Sequence, residues 1–210
     1  DLFHAADRAD HHAARLLLPH LAADGAISSR LINDIMVTAF GGFDADGRWT
    51  QRTSFEVLEH ALALHLRSNG QGLNSFAQVS ALVALSERLP TQTVRSEEQL
   101  DWQQFSTPVD IAAVAVLLAD VQPDDVILEP SAGNGLLVAQ IGPHKALHLN
   151  ELDPKRRAKL GKHRRMLLGF NEKDRVRVAR GNKMQLQLAP LPLHQRHITL
   201  YFKLALLHPH

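Results

Sequence analysis

The sequence predicts an α/β chain in which a helical N-terminal part precedes an open parallel sheet, and three observations carry that prediction. Residues 1 to about 90 are rich in Ala, Leu, His and charged residues at helical spacing. From Val109 onward, short aliphatic runs alternate with helical stretches at the spacing of parallel βα units. The stretch Val126-Ile-Leu-Glu-Pro-Ser-Ala-Gly-Asn-Gly135 reads as a strand, a glycine-rich turn and a helix start in one piece.

The first helix runs from Leu2 to Leu21, with Leu16, Leu17 and Leu21 on its buried stripe, and Asp24-Gly25 breaks it. Ser28 or Ser29 caps a second helix through Leu31, Ile32, Ile35 and Met36 to Phe40, stopped by Gly41-Gly42. Asp44-Ala-Asp-Gly47 is a turn. Ser54 is expected to cap a third helix with Phe55, Leu58, Leu62 and Leu66 on one face, ending near Asn69-Gly70. A fourth covers Leu73 to Leu89 and closes at Pro90. Together they predict a small bundle with little chemistry of its own. The polar stretch Thr91–Leu100 is the expected linker, dividing the chain into a helical region, 1–95, and an α/β domain, 96–210.

In the second part Pro108 suits the first turn of a helix over Val109–Ala119. Gln122-Pro-Asp-Asp125 turns into the strand Val126–Leu128, and a helix over Leu136–Ile141 ends at Gly142-Pro143. A strand at Ala146–Leu149 leads to Asn150-Glu151, a basic helix runs from Pro154 to Leu168, and a third strand covers Val176–Ala179. Beyond Gly181 the pattern fades; Leu186–His197 holds two prolines, two histidines and no clean period, and Ile198–Phe202 is the expected fourth strand. A doubly wound sheet normally needs more strands, so the domain is expected to be cut short at its C-terminus. The start at Asp1, in mid-helix and without methionine, reads as a fragment of something longer.

Composition narrows the function classes. The 210 residues carry a net charge of +1, so no global field announces a nucleic-acid partner, and such a surface must be local. The absence of cysteine excludes disulfides and thiolate metal sites and fits a reducing cytosol. No apolar run has membrane-spanning length and no signal-peptide layout is present, so a cytoplasmic chain without a membrane partner is expected.

The chemistry concentrates at strand ends. Glu129 ends the first strand, and Pro130, Ser131 and Ala132 separate it from Gly133 and Gly135. In a dinucleotide-binding turn the first glycine follows the strand directly and the loop curls under a pyrophosphate. A carboxylate there repels a pyrophosphate and suits a ligand with an ammonium or sulfonium group, which favours S-adenosylmethionine over NAD. Glu151 closes the second strand roughly twenty residues on, where an acidic side chain chelates ribose hydroxyls. Asn182, after the third strand, has the donor and acceptor to read an adenine edge. Ser106 or Thr107 offers a hydroxyl before a helix whose free N–H groups suit an anion. The basic run Lys155, Arg156, Arg157, Lys159, Lys162, His163, Arg164 and Arg165 either tracks a phosphate backbone or is a solvated face. Asp7, His11 and His12 share a helix turn, as do Glu56 and His60, but no third partner is evident and no metal site is predicted.

The order Phe105-Ser-Thr-Pro108, Glu129-Pro-Ser-Ala-Gly-Asn-Gly135 and Leu149-Asn-Glu-Leu-Asp-Pro154 resembles the class I S-adenosylmethionine-dependent methyltransferases that modify adenine N6 in DNA. Ser96-Glu-Glu, Gln103-Gln-Phe-Ser-Thr-Pro108 and His148-Leu-Asn-Glu151 look like the methylase part of bacterial plasmid and phage proteins that fuse such a domain to a strawberry-notch-like helicase. Ala39-Phe-Gly-Gly, Asp46-Gly and Leu89-Pro-Thr are similar to the region before the methylase core in those proteins, so the likeness spans most of residues 30–180. It implies a Rossmann-like class I methyltransferase sheet, S-adenosyl-L-methionine as cofactor, DNA as acceptor and a fused or associated helicase. By that likeness Phe105, Ser106, Thr107 and Pro108 hold the methionine moiety. Glu129, Pro130, Ser131, Ala132, Gly133 and Gly135 wrap it, and Glu151, with Leu152 beside it, holds the ribose. Asn182 stands where the family usually has Asp before a small residue.

The family's Asn-Pro-Pro-aromatic motif, which binds the target amine and stacks on a flipped base, is absent. In its place stand Ile198-Thr-Leu-Tyr-Phe-Lys and His208-Pro-His210. No catalytic residue is therefore assigned, and cofactor binding without methyl transfer is expected. Two rival readings are a non-catalytic module contacting DNA or a helicase through the basic helix, and a nicotinamide-dependent oxidoreductase. The second is disfavoured by Glu129 and the missing third glycine. RNA or protein acceptors remain open on the sequence.

Overall fold

The computed structural model describes residues 2–68, 72–91, 106–129, 131–151, 153–160 and 198–200. Phe105, Pro130, Leu152 and Asn182, most of the expected linker, the second half of the basic helix and the strand expected at Val176–Ala179 lie outside the described residues.

Four helices come first: α1 (Leu2–Ala22), α2 (Ser29–Phe40), α3 (Gln51–Ser68) and α4 (Phe76–Glu87). Their ends follow local chemistry. Ser28 Oγ accepts from Leu31 N–H at 3.1 Å, and Gly41, left-handed at φ 70°, returns its N–H to the Val37 carbonyl. Ser75 and Gln78 form a reciprocal capping box on α4. The expected cap at Ser54 is corrected: α3 starts one turn earlier, at Gln51. Thr50 Oγ1 accepts from Thr53 N–H at 3.2 Å, Thr53 Oγ1 accepts from Thr50 N–H at 3.3 Å, and Ser54 is buried inside the helix, donating to the Gln51 carbonyl at 2.7 Å. Threonine is also a favoured cap, and a window read from the first aromatic residue misses it.

Nine of the 18 residues of α3 are buried, which makes it a central helix rather than one with a single apolar stripe. Val57, Leu58, Ala61 and Leu62 pack with Ala13, Ala14, Leu17 and Leu21 of α1 and with Ile32, Ile35 and Met36 of α2. The same apolar cluster continues into Val109, Leu136 and Ala139, so the core crosses the boundary expected near residue 95.

After α4 come α5 (Val109–Ala119), β1 (Val126–Glu129), a single 3-10 turn (Val138–Gln140), β2 (Ala146–Leu149), α6 (Pro154–Leu160) and β3 (Ile198–Leu200). All four residues of β1 are buried, as expected of the central strand of a parallel sheet. β1 pairs parallel with β2, from Val126 opposite Ala146 to Glu129 opposite Leu149. On its other side β1 pairs parallel with β3, Val126 opposite Ile198 and Leu128 opposite Leu200. The described sheet thus has three strands in the order β2-β1-β3. The chain is a mixed helical protein with a small parallel sheet behind an N-terminal helical region; of the C-terminally incomplete Rossmann-like sheet that was expected, the described residues show this three-stranded part.

The helix expected over Leu136–Ile141 is also corrected. Between left-handed Gly135 and Gly142-Pro143 lie only residues 136–141, fewer than two turns, and a helix that short does not repay its nucleation. One α-type bond forms, Ala139 N–H to the Gly135 carbonyl at 3.0 Å, and the rest is 3-10.

Candidate ligand cleft at the carboxyl end of the sheet

With β2 on one side of β1 and β3 on the other, the strand order reverses at β1. A crevice opens outside the carboxyl ends of such strands. Glu129 stands there, buried at 1% exposure. Its Oε1 accepts from Ser131 N–H at 2.9 Å. The ladder to β2 continues one step past the strand, with Asn150 N–H donating to the Glu129 carbonyl at 2.9 Å and Ala132 N–H to the Asn150 carbonyl at 2.8 Å.

The two glycines do different work. Gly133 (φ 57°) has nothing within 4 Å of where a Cβ would sit, so it leaves the backbone open on that side. Gly135 (φ 82°) lies against α6, and a Cβ there would stand 2.8 Å from Leu160 Cδ2. Gly135→Ala combines left-handed strain with that contact, so a loss of about 1–2 kcal/mol is expected from urea denaturation. An unchanged midpoint would mean that the turn relaxes freely.

Glu151 is tied directly to the turn. Its Oε2 accepts from Gly133 N–H at 2.7 Å, and its Oε1 accepts from Asp153 N–H at 2.8 Å. Each carboxylate oxygen keeps a further lone pair. Glu151 therefore clamps the glycine turn to the start of α6.

The third wall comes from outside the α/β part. Ser106 and Thr107 precede α5, with Pro108 at the N-cap position rather than inside the first turn. Ser106 Oγ donates to Glu59 Oε2, on α3, at 2.7 Å, and Asn134 Nδ2 donates to the same oxygen at 2.6 Å. Glu59, Ser106 and Thr107 on one side and Glu129, residues 131–134, Leu136 and Leu137 on the other line an open cleft with a cavity volume of about 20 Å³. That volume holds about one water-sized group. Among the described residues, two of those lining it are carboxylates and none is basic.

The structure thus brings Ser106, Thr107, Glu129, Ser131, Ala132 and Gly133 to one cleft, with Gly135 behind it and Glu151 bonded to its floor. Glu59 is the residue that sequence reasoning missed. No local signal separates it from a surface glutamate, and the helical region was read as having little chemistry. The fold of α3 brings Glu59 to the cleft.

The basic helix is corrected in part as well. Within α6, Lys155 and Arg157 are exposed, but Arg156 and Lys159 turn inward. Arg156 Nη2 is 3.2 Å from Glu56 Oε1. Lys159 Nζ is 3.4 Å from Glu56 Oε2 and 3.3 Å from Asp10 Oδ2. Arg52 joins from one turn away, 3.3 Å from Glu56 Oε1. Burial raises the Glu56 pKa, but the charges of Lys159, Arg156 and Arg52 outweigh it and hold the carboxyl below its ordinary range.

Of the histidines, His11 Nδ1 lies 3.3 Å from His60 Nε2, pairing α1 with α3. No group of three or more metal-ligating side chains is found among the described residues. Nor, among them, is any helix long and apolar enough to cross a membrane. Comparison of the chain with protein-family models, with curated proteins and with solved structures finds no match in any of the three.

Proposed function

We propose that this chain is the cofactor-binding part of an S-adenosylmethionine-dependent methyltransferase of the kind that modifies adenine N6 in DNA, and that as it stands it binds the cofactor without transferring the methyl group. One observation carries the reading. At the point where the strand order reverses, the carboxylate ending β1 and the Glu151 carboxylate, two residues past β2, flank a left-handed glycine whose N–H is bonded to the second of them. An acidic strand end suits a cationic ligand and opposes a pyrophosphate, which sets the reading against a nicotinamide cofactor. Glu151, beside the turn, has lone pairs left for ribose hydroxyls. DNA as acceptor, a helicase as fused or associated partner and a cytoplasmic location rest on the likeness of the three motifs.

In a complete member of that family the adenine amine attacks the sulfonium methyl in line, and catalysis comes from orienting the two reactants and stabilising charge at the amine. The residues of this chain supply the first half of that arrangement. The acceptor-binding motif is absent from the sequence, and β3 is followed by Tyr201-Phe-Lys instead.

The test is calorimetric titration of S-adenosylhomocysteine into the full chain and into Glu151→Ala. Affinity on the order of micromolar is expected, weakened at least about tenfold in the variant as the charge-assisted ribose bonds are lost. A folded wild type that takes up no ligand sinks the proposal and leaves a non-catalytic module that contacts DNA or a helicase.

A further inference from the structure

Glu56 and Glu59 sit three residues apart on α3, yet their surroundings differ. Glu56 is met by three cations from its own helix and from α6. Glu59 lines the cleft, and both of its hydrogen bonds come from neutral donors, Ser106 Oγ and Asn134 Nδ2, onto one oxygen. No salt bridge reaches it among the described residues. Across the same cleft stands Glu129, and among the described residues no basic side chain lines the space. Two carboxylates in a partly dehydrated cleft repel each other unless a cation comes between them.

A second, independent feature points the same way. Asn134 is buried at 3% exposure and lines the cleft. Its Nδ2 is used by Glu59, but its Oδ1 has no hydrogen-bond partner. Buried acceptors are nearly always satisfied, so this one calls for a donor that the protein itself does not supply. An alkylammonium has one positive charge, three N–H donors and no acceptor, and that set matches a carboxylate beside an amide oxygen. A sulfonium satisfies the charge but brings no N–H to Asn134.

We propose, resting on the S-adenosylmethionine reading above, that Glu59 and Asn134 receive the ammonium group of the ligand's amino-acid moiety, so that α3 of the helical region determines which adenosyl ligands the cleft accepts. The helical region is then one wall of the binding site. Ligands with an adenosyl group but no amino-acid tail cannot make this contact.

The experiment pairs two ligands that share the adenosyl thioether. S-adenosylhomocysteine carries the ammonium; 5′-methylthioadenosine does not. Both are titrated by calorimetry into the full-length chain and into Glu59→Gln, which keeps the side chain's size and its ability to bond Ser106. Loss of a charge-assisted bond is expected to weaken S-adenosylhomocysteine at least about tenfold and to change 5′-methylthioadenosine by less than about twofold. The ratio of the two affinities holds even if the variant is partly unfolded, because both ligands report the same folded fraction. Equal weakening of both, or of neither, overturns the role of Glu59 while leaving the cofactor reading intact. Failure of both ligands to bind the wild type overturns the cofactor reading and this proposal with it.

Discussion

Replacing Glu56 by alanine is expected to destabilise the chain by about 3–5 kcal/mol, because it strands buried positive charge. Arg156 is 3% exposed and has its Nε and Nη2 within 3.3 Å of Glu56 Oε1. With the carboxylate gone, the guanidinium stays in the interior without its partner. Lys159 and Arg52 are less affected. The first keeps Asp10 at 3.3 Å and the second keeps Asp153 at 3.7 Å. The double variant Glu56→Leu/Arg156→Met removes both members of the pair that has no substitute, and is expected to recover most of the loss. Urea denaturation of the two variants and the wild type checks this. A double variant no better than Glu56→Ala would mean that the damage comes from lost packing rather than stranded charge.

The same carboxylate sets a pH dependence. Its folded-state pKa lies below the ordinary 4.5, burial raising it but Lys159, Arg156 and Arg52 lowering it more. A depressed carboxylate pKa contributes stability that is complete above the unfolded-state value and is lost as pH falls through the folded-state value. The gap in stability between wild type and Glu56→Gln should therefore be constant at neutral pH and shrink as the pH drops below about 4. A gap that widens in acid would contradict the ion-pair account.

How much of this was legible in the sequence depends on how far apart the partners are. Glu129, Gly133 and Glu151 lie within a short strand–turn–strand stretch, where residue order alone places them on adjacent strand ends. The caps at Ser28 and Gly41 are legible for the same reason: each is closed by a bond to a residue three or four positions away. Glu59 is of another kind. Its partners, Ser106 and Asn134, are 47 and 75 residues further along, and nothing at positions 56 to 60 distinguishes the glutamate facing a cleft from the one neutralised by Arg156. The basic run misleads in the opposite sense. Lys and Arg are normally solvent-facing, so the inward turn of Arg156 and Lys159 follows only from a carboxylate waiting about 100 residues upstream. Tertiary charge pairing, not local propensity, decides both cases.

Glu129→Gln is expected to separate folding from binding. The side chain is 1% exposed, and burying a carboxylate costs more solvation than burying the neutral amide. Glutamine keeps the length and an acceptor for the Ser131 N–H bond now made at 2.9 Å. The thermal midpoint of the variant should accordingly be no lower than that of the wild type. Ligand affinity should move the other way. A cation entering the cleft meets the Glu129 carboxylate in a site with little water, and removal of one partner from a desolvated charged contact costs about 2–4 kcal/mol. That corresponds to roughly 30- to 1000-fold weaker S-adenosylmethionine binding at about 1.4 kcal/mol per factor of ten. Function held at a cost in stability is the signature of a binding residue as opposed to a structural one. Differential scanning fluorimetry and calorimetric titration on the same preparation decide between the two. A lower midpoint with intact binding would make Glu129 a structural carboxylate that ends a strand, and the cationic-ligand reading would lose its main support.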